Sequence, residues 1–295
     1  MEITGKCQLS CRHCYADSGP RGTHGAMTHG DWQRAIDEAA GLGVVMVQFI
    51  GGEPTLHPEL PALVDHALAA GLQVEVFSNL VHVSARLWDT FGRPGVRLAC
   101  SYYSDDDAEH ARITGRRASH ARTTANIAEA RRRSIPLRVG LIDVLYGQRI
   151  DAAVSELTAL GVQDVGTDRL RQVGRGQLAD VDQLCGKCAR GVLAISPTGT
   201  VWPCVFSRWL PVGNVREQSL DAIIKGRAVA ATRAMLAAHF AGRTLPGGQA
   251  SCGPYCQPTC PPNCSPSCRP QHNCTPVACG PQGNCWPKYG CKPSG

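Results

Sequence analysis

Between residues 1 and about 177 the chain alternates six times between a short apolar run and a stretch with helical spacing, which limits the folds open to it. The apolar runs are "MEIT", "VVMVQFI", "LQVEVFSN", "VRLACSYY", "LRVGLIDV" and a last one near "QDVGTDRL". Between the first two, "MTHGDWQRAIDEAAGLG" carries the fullest helical signal: Thr28 as cap with Asp31 three residues on, Trp32, Ile36 and Ala39 on one face, and Gly43 as the stop. Continuous apolar strands are buried on both faces, and helical crossovers between them imply parallel pairing. Six units exceed a minimal open sheet and fall short of a closed eight-fold barrel, so the expected class is α/β, a partial (β/α)6 TIM-like barrel. Ligands in such sheets lie beyond the carboxyl ends of the strands. There fall Cys7 to Cys14, then Gly51-Gly52-Glu53, Ser78-Asn79 and Ser101.

The segment "CQLSCRHCY" (Cys7 to Tyr15) sets three thiols at C-x₃-C-x₂-C spacing. Structural zinc takes four ligands, usually from two turns. Three thiols in one loop leave one corner of a metal centre without a protein ligand. In a cubane iron–sulfur cluster that corner is useful, because it can take a substrate or cosubstrate. On the residues alone, a zinc site completed by His13, His24 or a remote cysteine stays open.

Compartment bears on the same choice. The chain has sixteen cysteines, and no basic segment followed by an apolar run to send it through an oxidising export route. No stretch approaches the roughly 18 apolar residues of a membrane span. The expected location is cytoplasmic, with clustered cysteines serving metal or catalysis before disulfides. A net charge of +6, whose densest run Arg131-Arg132-Arg133 sits on a predicted helix beside Glu129, reads as a solvated face; no membrane or nucleic-acid partner is expected.

The composition changes near residue 178. "SPTGTVWPC" predicts a tight hairpin turned by Pro197 and Gly199, and helices are expected around "SLDAIIKG" and "AVAATRAMLAAHF". After about Arg243, cysteine recurs every fourth residue from Cys252 to Cys268 with prolines between, a composition that cannot build a packed core or a regular helix. The expected divisions are 1–177, a barrel; 178–243, a small Cys-rich α+β auxiliary domain; and 244–295, a Cys/Pro-rich tail ordered by metal or not ordered.

The first cysteine run resembles the signature of the radical SAM enzymes, C-x₃-C-x-φ-C with φ aromatic, which Cys7, Cys11, His13 and Cys14 fill. "GGEPTLHP" resembles that family's GGE segment, "FSN" (Phe77 to Asn79) and Ser101 stand where it places ribose- and methionine-contacting residues, and "ITGRRASHARTTANI" and "RQVGRG" look like stretches of its peptide-modifying branch. The resemblance covers roughly residues 1 to 240. It implies that Cys7, Cys11 and Cys14 hold a [4Fe–4S] cluster whose open iron is chelated by S-adenosylmethionine. One electron then breaks the sulfonium S–C5′ bond, and the 5′-deoxyadenosyl radical takes a hydrogen from an unactivated carbon. It also implies that Gly51 and Gly52 admit the cosubstrate to backbone carbonyls, that Glu53 binds the methionine ammonium, and that Ser78, Asn79 and Ser101 lie near ribose or methionine. His13 is expected near adenine and Arg122 on the methionine carboxylate. The plainer reading of the glycines is a turn out of a strand, and of Cys100 a small buried hydrophobe. Asp143, Asp168 and Tyr102 are left unassigned, and no catalytic acid or base is named.

"CGKCARGVLAISPTGTVWPC" resembles the opening of the SPASM or twitch extension, C-x₉₋₁₅-G-x₄-C, with Cys185 or Cys188 as its first cysteine and Cys204 as its second. This implies an auxiliary [4Fe–4S] cluster, with Cys252, Cys256 and Cys260 as expected further ligands although their spacing departs from the family's; a zinc ribbon is the alternative. The resemblance implies an enzyme that crosslinks, epimerises or oxidises a side chain of a peptide or protein, as ribosomal-peptide maturases do. Expected partners are a precursor peptide, a separate leader-recognition protein, since the first strand opens the chain, and a flavodoxin or ferredoxin as electron donor. The alternatives are the same radical chemistry on a small molecule, and a non-enzymatic zinc-binding interaction protein.

Overall fold

The six apolar runs become six strands of one parallel sheet, ordered as in the chain, in the computed structural model, which describes residues 1–186 and 188–241. They are β1 (Glu2–Thr4), β2 (Met46–Gly51), β3 (Gln73–Phe77), β4 (Val96–Tyr102), β5 (Leu137–Asp143) and β6 (Asp164–Arg169), every neighbouring pair parallel. The connecting helices are α1 (His29–Gly41), α2 (Leu60–Ala69), α3 (Ala85–Phe91), α4 (Asp107–Thr114), α5 (Ser119–Arg132) and α6 (Ile150–Ala159). With β1 and β6 at opposite ends of the order, this is an open, partial TIM-like barrel.

The local signals act as read. Thr28 and Asp31 form a reciprocal cap on α1, each side chain accepting from the other's backbone N–H. Two details differ. Val44 and Val45 stay outside β2, 40% and 71% exposed, because the strand begins only where it can pair with β3 at Gln73. The helix α4 is missing from the sequence reading. It turns only His110, Ile113 and Thr114 inward, too little apolar surface to show a period.

The two faces of the sheet differ. Val47, Phe49, Val74, Val76, Leu98, Cys100, Val139 and Leu141 pack under Trp32, Ile36, Leu63, Ile127 and Leu157 of the helices in one core. On the lumen side, Gln48, Glu75, Arg97 and Arg138 from four adjacent strands meet low in the barrel, with Ile50, Phe77 and Ala99 above them. Arg138 donates to both Glu75 oxygens at 2.6 and 2.9 Å, Arg97 Nε lies 2.8 Å from Oε2, and Gln48 donates to Oε1. Glu75 is 1% exposed, and an isolated carboxylate there would be costly; guanidiniums from β4 and β5 compensate it. The strands are thus not apolar on both faces, as their runs suggest, and the lumen is floored by charge.

The hairpin at "SPTGTVWPC" forms as β7 (Ala194–Ile195) and β8 (Thr200–Trp202), antiparallel, and β9 (Gly213–Asn214) adds a third strand. The helices α7 (Leu220–Lys225) and α8 (Arg227–Phe240) follow. This unit is fastened to the barrel. Arg208 donates to both oxygens of the buried Glu2 at 2.6 Å while stacking 4.3 Å from the Trp202 ring centre. Glu38 of α1 caps α7 by accepting from Leu220 N at 2.6 Å. Residues 244–295 lie outside the described residues.

Candidate active site

The loop after β1 is fixed by its backbone rather than by its own secondary structure. Cys7 N donates to Gly19 O, Ser10 N to Thr114 O and Arg12 N to Ile113 O, so the end of α4 holds one side of the loop. The end of β2 holds the other: Gly52 N donates to Thr4 O and Glu53 N to Lys6 O. Gly51 has φ +150, and a Cβ there would fall 2.3 Å from Thr4 O; at Gly52 it would fall 2.4 Å from Lys6 O. Their missing side chains therefore admit the backbone at the end of β1 and the start of the cysteine loop. This packing role stands beside the expected one of opening carbonyls to a cosubstrate, since both glycines also line the cavity.

Cys7, Cys11 and Cys14 line one wall of that cavity, at the carboxyl ends of the strands. Burial, and then the Glu53 charge, pushes the Cys7 thiol up to about 12; burial and the neighbouring Cys14 and Cys7 push Cys11 higher still. The sulfurs are nevertheless provided with donors: Leu9 N lies 3.4 Å from Cys7 Sγ, Ser18 N 3.3 Å from Cys14 Sγ, and Asn79 Nδ2 3.7 Å from Cys7 Sγ. Cys7, a thiol that resists ionising alone but is met by two N–H donors, is suited to a bound cationic group that takes the place of its proton. This donor set fits an iron–sulfur cluster held at three corners.

The other expected residues divide into three groups. His13, Asn79 and Ser101 share the cavity with the cysteines. His13 stacks edge-on against Tyr103 at 5.0 Å, and burial followed by the Arg175 charge lowers it to about 4, so the ring is neutral. Glu53 and Ser78 are buried behind the wall. The Glu53 carboxylate accepts from Thr55 N, Thr55 Oγ1, Ser78 Oγ and Asn79 N, which ties the GGE turn to the end of β3. Arg122 is exposed on α5 and does not line the cavity, one residue off the buried stripe of Thr123, Ile127 and Ala130.

Of the residues that the sequence left open, one lines the cavity. Asp168 faces the cavity, whereas Tyr102 lies on the helix side with its hydroxyl 2.6 Å from Glu156, and Asp143 is exposed outside it. Burial pushes the Asp168 carboxyl up against the pull of Arg171, whose Nη2 is 3.1 Å away. Arg169, Tyr103 and Phe206 also line the cavity, and Arg171 lies over the Phe206 ring at 5.6 Å. Phe206 belongs to the auxiliary unit, which therefore forms part of the cavity wall. The alternation of Gly166 and Asp168 along β6 is the one signal that could have oriented Asp168; nothing marks Phe206.

At the second cysteine group the hairpin brings Cys188 and Cys204 together, their sulfurs 3.1 Å apart. The Cys188 thiol donates to Cys204, which lowers Cys204 and raises Cys188. The Cys185 backbone also hydrogen-bonds to Cys188, but its own sulfur is in a disulfide and not free beside the other two. Cys252, Cys256 and Cys260 lie outside the described residues.

Comparison with known proteins gives consistent results. The sequence profile of the radical SAM superfamily matches residues 1–155, and that of SPASM, an iron–sulfur cluster-binding domain, matches residues 185–265. A protein of Xanthomonas euvesicatoria named PqqA peptide cyclase is 31% identical over 269 residues, covering 76% of this chain and 72% of the relative. Its namesake from Ruegeria pomeroyi is 35% identical over 147 residues, 48% of this chain but only 38% of the relative's length. Among solved structures, Streptococcus suis SuiB bound to the precursor peptide SuiA has a TM-score of 0.66 at 15% identity, covering 79% of this chain and 65% of that one. The enzyme anSMEcpe with bound AdoMet has a TM-score of 0.60 at 10% identity, covering 78% and 80%. These two likenesses concern the fold.

Proposed function

The chain belongs to the radical SAM superfamily, and from that premise we propose that it reductively cleaves S-adenosylmethionine and modifies a side chain of a peptide or protein. The observation that carries this reading is the convergence of Cys7, Cys11 and Cys14 on one cavity at the carboxyl ends of the parallel strands. These three residues would hold the [4Fe–4S] cluster. Cluster and S-adenosylmethionine, when bound, supply a 5′-deoxyadenosyl radical able to take hydrogen from an unactivated carbon.

The chain's own residues shape the space for that chemistry. Ile50, Phe77, Ile142 and Phe206 make an apolar lining that excludes water from a reactive carbon radical. His13, Asn79 and Ser101 offer polar contacts on the cysteine side, where a nucleoside and an amino acid would need them. Asp168, protonated more readily than an exposed carboxyl, lines the same cavity as a group able to hold a proton beside a substrate, and Arg171 fixes its orientation. No catalytic acid or base is assigned beyond that placement.

A peptide substrate is supported by the relatives named PqqA peptide cyclase and by the shared fold with SuiB, which was solved with its precursor peptide. Crosslinking, epimerisation and oxidation are all open to this chemistry. Cys188 and Cys204, with Cys185 once its disulfide is reduced, would contribute to an auxiliary [4Fe–4S] cluster, completed by tail cysteines such as Cys252, Cys256 and Cys260. A low-potential flavodoxin or ferredoxin as donor, a separate leader-binding protein and a cytoplasmic location belong to the same proposal. Among the described residues no helix is long and apolar enough to cross a membrane.

The test is anaerobic reconstitution with iron and sulfide, followed by incubation with S-adenosylmethionine and a strong reductant. The expected product is 5′-deoxyadenosine, absent from the Cys7→Ala, Cys11→Ala, Cys14→Ala variant. A fully thiolate-bound zinc ion in place of iron would overturn the reading. Co-expression with short peptides encoded beside the gene, read as a mass change, identifies the substrate.

A further inference from the structure

The segment "RQVGRG" follows β6 and lies outside the strands and helices that build the barrel, yet it reaches back to the cysteine loop across more than 150 residues of sequence. The Arg175 guanidinium donates Nη1 to Cys11 O at 2.5 Å, Nη2 to Ser18 O, and Nε to Asp17 Oδ1 at 3.0 Å. Its backbone N donates to Cys14 O at 3.1 Å. One residue thus takes the carbonyls of two of the three cysteines and of the residue whose N–H serves Cys14 Sγ. The approach is close enough to require glycine next door. Gly174 has φ +62, and a Cβ there would fall 2.2 Å from Tyr15 O and 2.5 Å from Cys14 O.

We propose that Arg175 is a positioning residue for the iron–sulfur centre: it clamps the Cys11–Ser18 turn in its ligating shape and sets a positive charge beside the sulfurs. The two contributions are separable by chemistry. The planar fork satisfies three acceptors at once, which a lysine ammonium on a flexible stem does not do in that arrangement. The charge, by contrast, is retained by lysine. A cation near thiolate ligands favours the more negative, reduced state of a cluster, because hydrogen bonding and local charge set its potential. The clamp also joins the cysteine loop to the unit that carries Cys188 and Cys204, since Arg175 lies on the chain between β6 and that unit.

The inference rests on Cys7, Cys11 and Cys14 holding a cluster, and the iron content and reduced-state EPR signal of the wild-type full-length protein test that premise separately. Arg175→Lys and Arg175→Gln are then compared with wild type after anaerobic reconstitution. The readouts are cluster loss under a chelator and the midpoint potential of the S-adenosylmethionine-binding cluster by EPR titration. Both variants are expected to lose the cluster roughly 10-fold faster, as removal of an outer hydrogen-bond partner of a metal site does. Only Arg175→Gln is expected to move the midpoint to more negative values. Wild-type lifetimes in both variants would overturn the clamp; an equal shift of midpoint in both, or in neither, would overturn the role of the charge. If Arg175→Gln does not fold, Asp17→Ala, which removes the partner of Nε and leaves the guanidinium, is expected to shorten the cluster lifetime less, and an unchanged lifetime there overturns the clamp.

Discussion

The two cysteine groups are held in different ways. Cys7, Cys11 and Cys14 sit on a loop with little regular structure of its own, gripped by backbone partners from β2, α4 and the segment after β6. Cys188 and Cys204 are joined across a hairpin, a local device of 16 residues, within a small apolar cluster of Val173, Leu184, Phe206 and Leu236. The first site is therefore a product of the whole barrel, while the two described thiols of the second are brought together by a turn. A loop held from three sides keeps its shape when one corner of its metal is given to a ligand.

Four experiments would break or sharpen this contrast. The largest effect is expected from Cys7→Ala, Cys11→Ala or Cys14→Ala singly, each abolishing 5′-deoxyadenosine formation while the second group still binds iron; retention of cleavage in any one of them breaks the contrast. Next, Cys188→Ala or Cys204→Ala should lower the iron content and stop formation of modified peptide, yet leave uncoupled S-adenosylmethionine cleavage measurable. Loss of cleavage there would mean that the two sites are one functional unit.

On stability, Glu75→Gln leaves Arg97 and Arg138 without their shared carboxylate in the barrel floor, and we expect a loss of about 3–5 kcal/mol in chemical denaturation. Arg208→Met, which strands Glu2 at the junction of barrel and auxiliary unit, should cost less, about 1–3 kcal/mol, because the arginine is partly exposed. If Arg208→Met costs more than Glu75→Gln, the junction and not the floor dominates the stability of the cysteine loop.

The smallest effect is expected from pH. His120 lies between Asp107 and Glu156; burial lowers its pKa, but the hydrogen bonds to Glu156 and Asp107 outweigh that and leave it raised above 6.5. Its stabilising contribution is complete below pH 6.5 and disappears as pH rises through the raised value. His110, 5.6 Å away, is lowered to about 4 by burial and by His120, so stability falls as pH drops from 6.5 toward 4. Thermal melting should therefore peak near pH 6.5, with His120→Gln reducing the alkaline limb and His110→Gln the acid one, to which the buried His13 also contributes. A flat profile in wild type would show that this network in the barrel wall adds nothing to the barrel's hold on its loop.

The barrel was legible in the sequence because its signals are local. Helix caps, stops and apolar runs need no knowledge of what lies opposite, and neither does cysteine spacing. What could not be read depends on pairing across the sheet. Glu75 and Arg138 stand 63 residues apart, and nothing near either residue announces the other. Arg122 and Arg171 are equally cationic in the sequence, yet only the second falls on a cavity wall, since one step along a helix separates a buried face from solvent. Gly51 and Gly52 were placed at the right spot, but what fills the space left by their side chains is the end of β1 and the start of the loop after it. Phe206 enters the site only because the auxiliary unit docks against β1.

The charged floor of the barrel has a geometric corollary. A lumen stopped by Glu75 and its guanidiniums has no exit at its base, so whatever reacts there must come and go by the mouth or by the open side between β1 and β6. A long chain could not be passed out through the base like thread through a bead; it would lie across the rim and dip one residue at a time toward the sulfurs.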